Sequence, residues 1–139
     1  MCTLEDIIED LEFLDEDLER LRYVIDLGKD LGDFPDDLRT KEFLVQGCSS
    51  QVWLVPRVVE GSPVVLEFSA DADAQIVRGL VALLLVAYSG RTAEQILAVD
   101  VDRLMERLQF TDHLTPGRQN GLFAMVSRIR DFAEQQLAR

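Results

Sequence analysis

Cysteine is scarce: Cys2 and Cys48 are the only two among 139 residues. That excludes a disulfide framework, and inside a reducing compartment such a pair is seldom a structural bridge. His113 is the single histidine, so the cysteine and histidine spacings of a closed zinc site are missing as well. Basic residues are also outnumbered, 14 Lys and Arg against 26 Asp and Glu, for a net charge of −12. So acidic a chain repels phosphate and offers no basic stripe, which argues against nucleic-acid binding. Long apolar runs are lacking too. The most apolar stretch, Ile76 to Ala87, carries Arg78 and spans 12 residues, where a membrane-spanning helix needs about 20. The N-terminus opens with Glu5, Asp6, Glu9 and Asp10, the opposite of the basic start of a secretory leader. A cytoplasmic protein with no membrane contact is expected. Glycine-rich phosphate loops and serine nucleophile elbows are absent.

What is present reads as a globular chain, 47% hydrophobic and 29% charged, of a length that fits one domain over residues 1–139. A chain of this size buries about two-thirds of its unfolded surface on folding, so it needs neither disulfide nor structural metal to be stable. The acidity is concentrated. Residues 1–37 hold 14 acidic and three basic groups, a net of −11, and residues 38–139 hold 12 and 11, a net of −1. The plain reading is a solvated helix face that aids solubility. The sharper one is a surface that steers a basic partner protein.

The N-terminal third has helical spacing: Leu4, Ile7, Ile8, Leu11 and Leu14, then Leu18, Leu21, Val24, Ile25 and Leu27. Thr3 is placed to cap the first helix and Asp15–Asp17 to open the second, with Gly28 and Gly32 ending it before a turn at Phe34-Pro35-Asp36-Asp37. The middle is β: a short Phe43-Leu44-Val45, a stronger Val52–Val59, a turn at Glu60–Pro63, and Val64–Phe68 pairing back. Pro56 cannot donate to a ladder and should mark an edge or a bulge. Asp71 or Asp73 should cap a central, nearly all-apolar helix over Ala74–Ala87 that stops at Ser89-Gly90. Thr92 with Gln95 forms a capping box, Asp100 can cap a helix through Leu108, and Thr115-Pro116 starts a long C-terminal helix with Leu122, Met125, Val126, Ile129, Phe132 and Ala133 on one face. Helices, then strands, then helices make an α+β fold.

Two places could carry chemistry. Cys48 lies in Gln46-Gly47-Cys48-Ser49-Ser50-Gln51, small and polar between two apolar segments, and Gly47 frees the backbone beside it. Composition leaves two readings open, a small core filler or a reactive thiol on a tight loop. Cys2, at the terminus, reads as incidental. The second place is His113 to Gly121, where Arg118 and the first-turn N–H groups could stabilise an anion. The plain alternative is that His113 and Arg118 tie the start of the helix to neighbouring loops. Asp71 and Asp73 lack the companions of a metal site and read as capping residues. Trp53 and Phe68 read as core or half-buried strand residues.

Those residues, in order, resemble the SufE family of sulfur-acceptor proteins, with the similar CsdE proteins. The landmarks are Ile25-Asp26-Leu27-Gly28, Val45-Gln46-Gly47-Cys48-Ser49-Ser50-Gln51-Val52-Trp53, Asp71–Leu80, His113-Leu114-Thr115-Pro116, and Arg118-Gln119-Asn120-Gly121-Leu122 with Ala124-Met125. The resemblance runs from about Leu18 to Phe132. It implies a SufE/IscU-like α+β domain, with an antiparallel sheet of about three strands packed on helices. It implies that Cys48 accepts persulfide sulfur from a cysteine desulfurase of the SufS or CsdA type, stimulating that enzyme, and passes it toward an iron–sulfur scaffold of the SufB type. The pyridoxal phosphate belongs to the desulfurase; this chain needs no cofactor or metal of its own and is a persulfide carrier rather than a stand-alone enzyme. Gly47, Asp73, His113 and Arg118 match family positions around the cysteine or the docking face. Gly117 stands where many members have serine. A monomer or a homodimer fits equally.

Three other readings compete. An IscU-like cluster scaffold would need about three converging cysteines, and this chain has two. A cysteine hydrolase using His113 as base would need an oxyanion hole that nothing in the sequence supplies. A plain interaction module would leave Cys48 inert.

Overall fold

The computed structural model describes residues 3–46, 51–108 and 116–138, apart from the side chains of Leu108 and Arg118. Helix α1 (Leu4–Phe13) begins at Thr3, whose hydroxyl accepts from the Asp6 N–H while the Asp6 carboxylate accepts from the Thr3 N–H. The apolar face of α1 buries Ile7, Ile8 and Leu11. Helix α2 (Asp17–Gly28) follows after a break at Leu14 to Glu16. Its stripe is narrower than its spacing suggests: Val24 is buried, Leu21, Ile25 and Leu27 are half-buried, and Leu18 faces solvent. A 3-10 turn at Asp36–Leu38 takes the place of the expected Phe34–Asp37 turn.

Strands β1 (Val52–Val59) and β2 (Val65–Ala72) pair antiparallel in an unbroken register from Val52 opposite Ala72 to Val59 opposite Val65. The first expected strand is reduced to one bridge, Leu44 opposite Trp53, closed by Val45 N–H to Val52 O at 2.8 Å and Leu54 N–H to Phe43 O at 2.9 Å. The sheet is therefore two strands plus this bridge rather than three. A turn in which Phe43 N–H reaches back to Thr40 O ends just where pairing begins, so few residues are left to extend it. Pro56 sits on an outer edge, as expected. Leu54 turns its N–H away from β2 toward Phe43, and by strand alternation Pro56 faces the same way, so its missing donor costs no ladder bond.

Helix α3 (Gln75–Tyr88) runs through the centre of the core, with Leu80, Leu83, Leu84, Ala87 and Tyr88 all but sealed from solvent. Ala74 occupies its cap position with no side-chain bond, so neither Asp71 nor Asp73 caps it. Ser89 and Gly90 (φ +80°) stop it, and Gly90 there adopts a backbone conformation that favours glycine. Helix α2 lies across α3 at two glycines. A Cβ on Gly79 would stand 2.1 Å from Val24 O, and one on Gly28 would stand 2.7 Å from Gly79 N.

Helix α4 (Ala93–Leu97) carries the expected Thr92/Gln95 capping box, and Asp100 accepts from Arg103 N–H at the start of α5 (Val101–Leu108). Arg107 on α5 grips Glu5 on α1 through both guanidinium nitrogens at 3.0 and 3.1 Å. That hydrogen bond raises the Arg107 pKa and lowers that of Glu5. Helix α6 (Pro116–Leu137) begins at proline and buries Leu122, Met125, Val126, Ile129 and Ala133, while half-buried Phe132 meets Phe68 edge-on at 6.0 Å between ring centres. The expected Thr115 cap lies outside the described residues.

Tyr88 leaves a polar atom unmatched in this core. Tyr88 is fully buried and its hydroxyl has no hydrogen-bond partner among the described residues, and burial raises its pKa. Tyr88→Phe removes the stranded group while keeping the ring. Chemical denaturation should find the variant as stable as the parent or more stable, by up to about 1 kcal/mol. A loss above that size would mean the hydroxyl is bonded in solution.

Candidate functional site

The bridge and the hairpin bring together the two ends of residues 46–51, the segment that carries Cys48. On the upstream side, Arg128 of α6 donates to Leu44 O at 3.3 Å and Glu42 O at 3.0 Å, and Val45 N–H is bound to Val52 O. On the downstream side, Asp73 and Gln51 form a reciprocal pair: Gln51 N–H donates to the Asp73 carboxylate and Asp73 N–H donates to Gln51 O, each at 3.1 Å. The stretch is tethered on both flanks by groups far away in sequence. Gly47, Cys48 and His113 lie outside the described residues, as does the side chain of Arg118; the Arg118 backbone is in the first turn of α6. Of the expected site residues, the structure thus places Asp73 beside the cysteine segment.

Next to that pair, an ion cluster closes the end of the hairpin. Asp71 is 7% exposed and lies opposite Trp53 in the β1–β2 register. One carboxylate oxygen accepts from Arg39; the other is 3.0 Å from Arg78 Nε, a charge contact whose N–H is not aligned as a hydrogen bond. Arg39 also pairs with Asp36, and its guanidinium lies against the Phe34 and Trp53 rings at 5.5 and 5.7 Å from their centres. The hydrogen bond to Asp71 is the main reason the Arg39 pKa is raised, with partial desolvation opposing it. A buried carboxylate needs such partners, since an ion taken out of water unpaired is strongly disfavoured. The cluster ties three pieces of chain: the 3-10 turn that leads toward the cysteine segment, the strand that runs beside it, and α3.

Both carboxylates of Asp71-Ala72-Asp73 therefore have partners other than the helix end they were expected to cap. Sequence reasoning missed Arg39, Arg78 and Arg128. A signal existed for Asp71: a buried strand position carrying a carboxylate demands a cation, but the sequence does not name which one. Nothing comparable flagged Arg128, one of several arginines along α6. Among the described residues no helix is long and apolar enough to cross a membrane.

Comparison with known proteins identifies the family. A family described as SufE, Fe-S metabolism associated domain, matches residues 5–133. An uncharacterized SufE-like protein of Rhizobium meliloti (strain 1021) is 44% identical over 138 residues, covering 99% of both chains. A second, from Rhizobium etli, is 44% identical over 140 residues, covering 99% of this chain and 94% of its own. A solution structure of a hypothetical protein from Thermus thermophilus superposes with a TM-score of 0.76 over 98% of this chain and 96% of that one, and at 19% identity it speaks to the fold alone. With matching family, matching length and the same α+β architecture, the chain belongs to the SufE family of iron–sulfur metabolism proteins.

Proposed function

We propose that this chain, acting as one unit over residues 1–139, is a cytoplasmic sulfur acceptor that loads Cys48 from a cysteine desulfurase of the SufS or CsdA type. The observation that carries the reading is the pair of tethers on either side of residues 46–51, Val45 on Val52 and Gln51 on Asp73, in a chain of this family. They fix Val45 and Gln51 on either side of Cys48, which suits a thiol presented to another protein's active site. The chemistry is thiol exchange. The Cys48 thiolate attacks the outer sulfur of the desulfurase persulfide, a new S–S bond forms at Cys48, and the donor's own sulfur leaves as a thiolate, with no net oxidation. Onward transfer to a scaffold of the SufB type repeats the step with Cys48 as donor. Pyridoxal phosphate stays with the desulfurase. Arg118 and His113 are assigned to the docking face around the cysteine, where a cation and an imidazole can hold the anionic sulfur.

The test mixes the purified chain with a cysteine desulfurase and free cysteine. Intact mass should rise by one sulfur atom, reductant should reverse the gain, and desulfurase turnover should increase. No mass gain under conditions where the desulfurase itself becomes persulfidated would refute the assignment.

Asp73 gives a finer test. Asp73→Ala removes one exposed hydrogen bond, so folding should lose no more than about 1 kcal/mol. With only the Asp73 N–H left to hold Gln51, the segment should react severalfold faster with iodoacetamide at Cys48. An alkylation rate equal to the parent's would mean the Gln51 tether does not govern access to the thiol.

A further inference from the structure

Away from the cysteine segment, the molecule leaves an apolar trough uncovered. A groove of about 600 Å³ opens between the chain after α2 and strand β2, with Leu31 and Phe34 on one wall and Phe68 and Ala70 on the other. Its floor is the stripe Ala82, Leu85 and Val86 of α3, and Leu85 and Val86 are only half-buried by the rest of the fold. A second depression of about 550 Å³ continues it past Leu85 and Val86 toward Leu4, Ser89 and Arg91. Leu85 and Val86, with Ser89 just past the helix end, leave the last turn of α3 half-buried on one face, while Ala82 one turn earlier is buried. Contiguous apolar surface of this kind marks an interaction site on a soluble domain.

The charges at its ends say what fits. Asp30 and Asp33 stand at one end of the groove, exposed, and neither carboxylate has an ion pair among the described residues. They belong to residues 1–37, which carry 14 acidic and three basic groups. Arg91 stands at the far end, also without an ion pair among the described residues. An added strand is disfavoured, because the outer edge of β2 is already engaged: Leu66 with Arg91 and Gly90, and Phe68 N–H with Ser89 Oγ. A helix needs no backbone bonds from its host and packs by inserting its side-chain ridge along such a stripe.

We propose that this trough receives an amphipathic helix of another protein, laid along α3 with apolar side chains on Leu85 and Val86 and basic residues at the end that meets Asp30 and Asp33. The described lining of the trough includes neither Gln46 nor Gln51, and the proposal stands whether or not sulfur transfer is the activity. The acidic N-terminal region raises the encounter rate with a basic partner, and the apolar floor supplies the hold.

The test uses three synthetic 16-residue helical peptides titrated into the isotope-labelled full chain and followed by backbone NMR at physiological salt. The first has leucines at helical spacing and three arginines at one end. The second replaces the arginines with glutamates, and the third keeps the arginines but replaces the leucines with alanine. The first should move the amides of Leu31 to Phe34, Ser69, Leu85 and Val86. The other two should bind at least about tenfold more weakly, a free-energy gap of about 1.4 kcal/mol. Asp30→Asn with Asp33→Asn, both surface changes, should weaken the first peptide severalfold with unfolding unchanged. Equal binding of the glutamate or the alanine peptide would overturn the proposal, as would shifts mapping elsewhere or no binding at all. Concentration-dependent dimerisation of the chain through these same amides would assign the trough to a second copy instead, and overturn it too.

Discussion

Cys48→Ser should abolish sulfur loading completely while leaving the fold intact. Serine is nearly the same size as cysteine, but the reaction needs a nucleophile able to form an S–S bond and a fraction of it ionised near neutral pH. A free thiol, with a pKa of about 8.5, is a few per cent thiolate at pH 7; a serine hydroxyl supplies neither the anion nor the sulfur. In intact mass measurements the variant should show no added sulfur. Stimulation of the desulfurase should fall to the level seen without acceptor. Cys2→Ser is the control and should load as the parent does. Full stimulation by Cys48→Ser would show that the chain activates its partner by contact alone.

The second large effect lies far from the thiol. Gly79→Ala should destabilise the protein by about 3 kcal/mol or more, at the upper end of overpacking effects, because the new methyl would sit 2.1 Å from Val24 O and 2.7 Å from Val24 C. Those are backbone atoms of α2, which cannot rotate out of the way as a side chain would; the two helices must separate, and both carry core residues. For a chain of this length the midpoint of thermal unfolding should drop by roughly 10 °C. Gly28→Ala should act in the same direction, since its methyl would meet Gly79 N at 2.7 Å. Gly32→Ala is the control: nothing lies within 4 Å of the added carbon, so it should be neutral or stabilise by up to about 1 kcal/mol through the unfolded state. Equal stability of Gly79→Ala and Gly32→Ala would show that the α2–α3 crossing is looser than described.

These glycines also show how far the sequence could be read. Gly28 and Gly79 sit in two separate landmarks, Ile25–Gly28 and Asp71–Leu80, and the sequence offered only helix punctuation for the first. In the fold they are the two sides of one close helix crossing. Gly28 does end α2, but its burial against α3 gives it a second role that a helix-stop signal does not convey.

Local features were legible because their causes are local. The capping bonds of Thr3, Thr92 with Gln95, and Asp100 each span three residues, within the reach of any pattern scan. The apolar stripe of α6 and the strong strand at Val52–Val59 follow from periodicity and composition, and so does the order of helices and strands. Pro56 announced an edge because it lacks a donor wherever it sits. Asp71 and Asp73 escaped for the complementary reason: a carboxylate near a helix start looks like a cap until its real partners are known. Those partners are Arg39, 32 residues away, and Gln51, 22 residues away.

By itself, then, the sequence determined the α+β architecture, the caps at Thr3, Thr92 and Asp100, and the family, all of which depend on residue type and near-neighbour spacing. The tertiary structure alone decided what holds the cysteine segment at its flanks, which arginines neutralise Asp71, how closely α2 approaches α3, and which face of α3 stays open. Each of those is a contact between segments far apart along the chain, set by antiparallel register and helix crossing. No local pattern encodes the partner across such a gap, because many arginines and glycines are chemically able to fill the role and only the fold selects one.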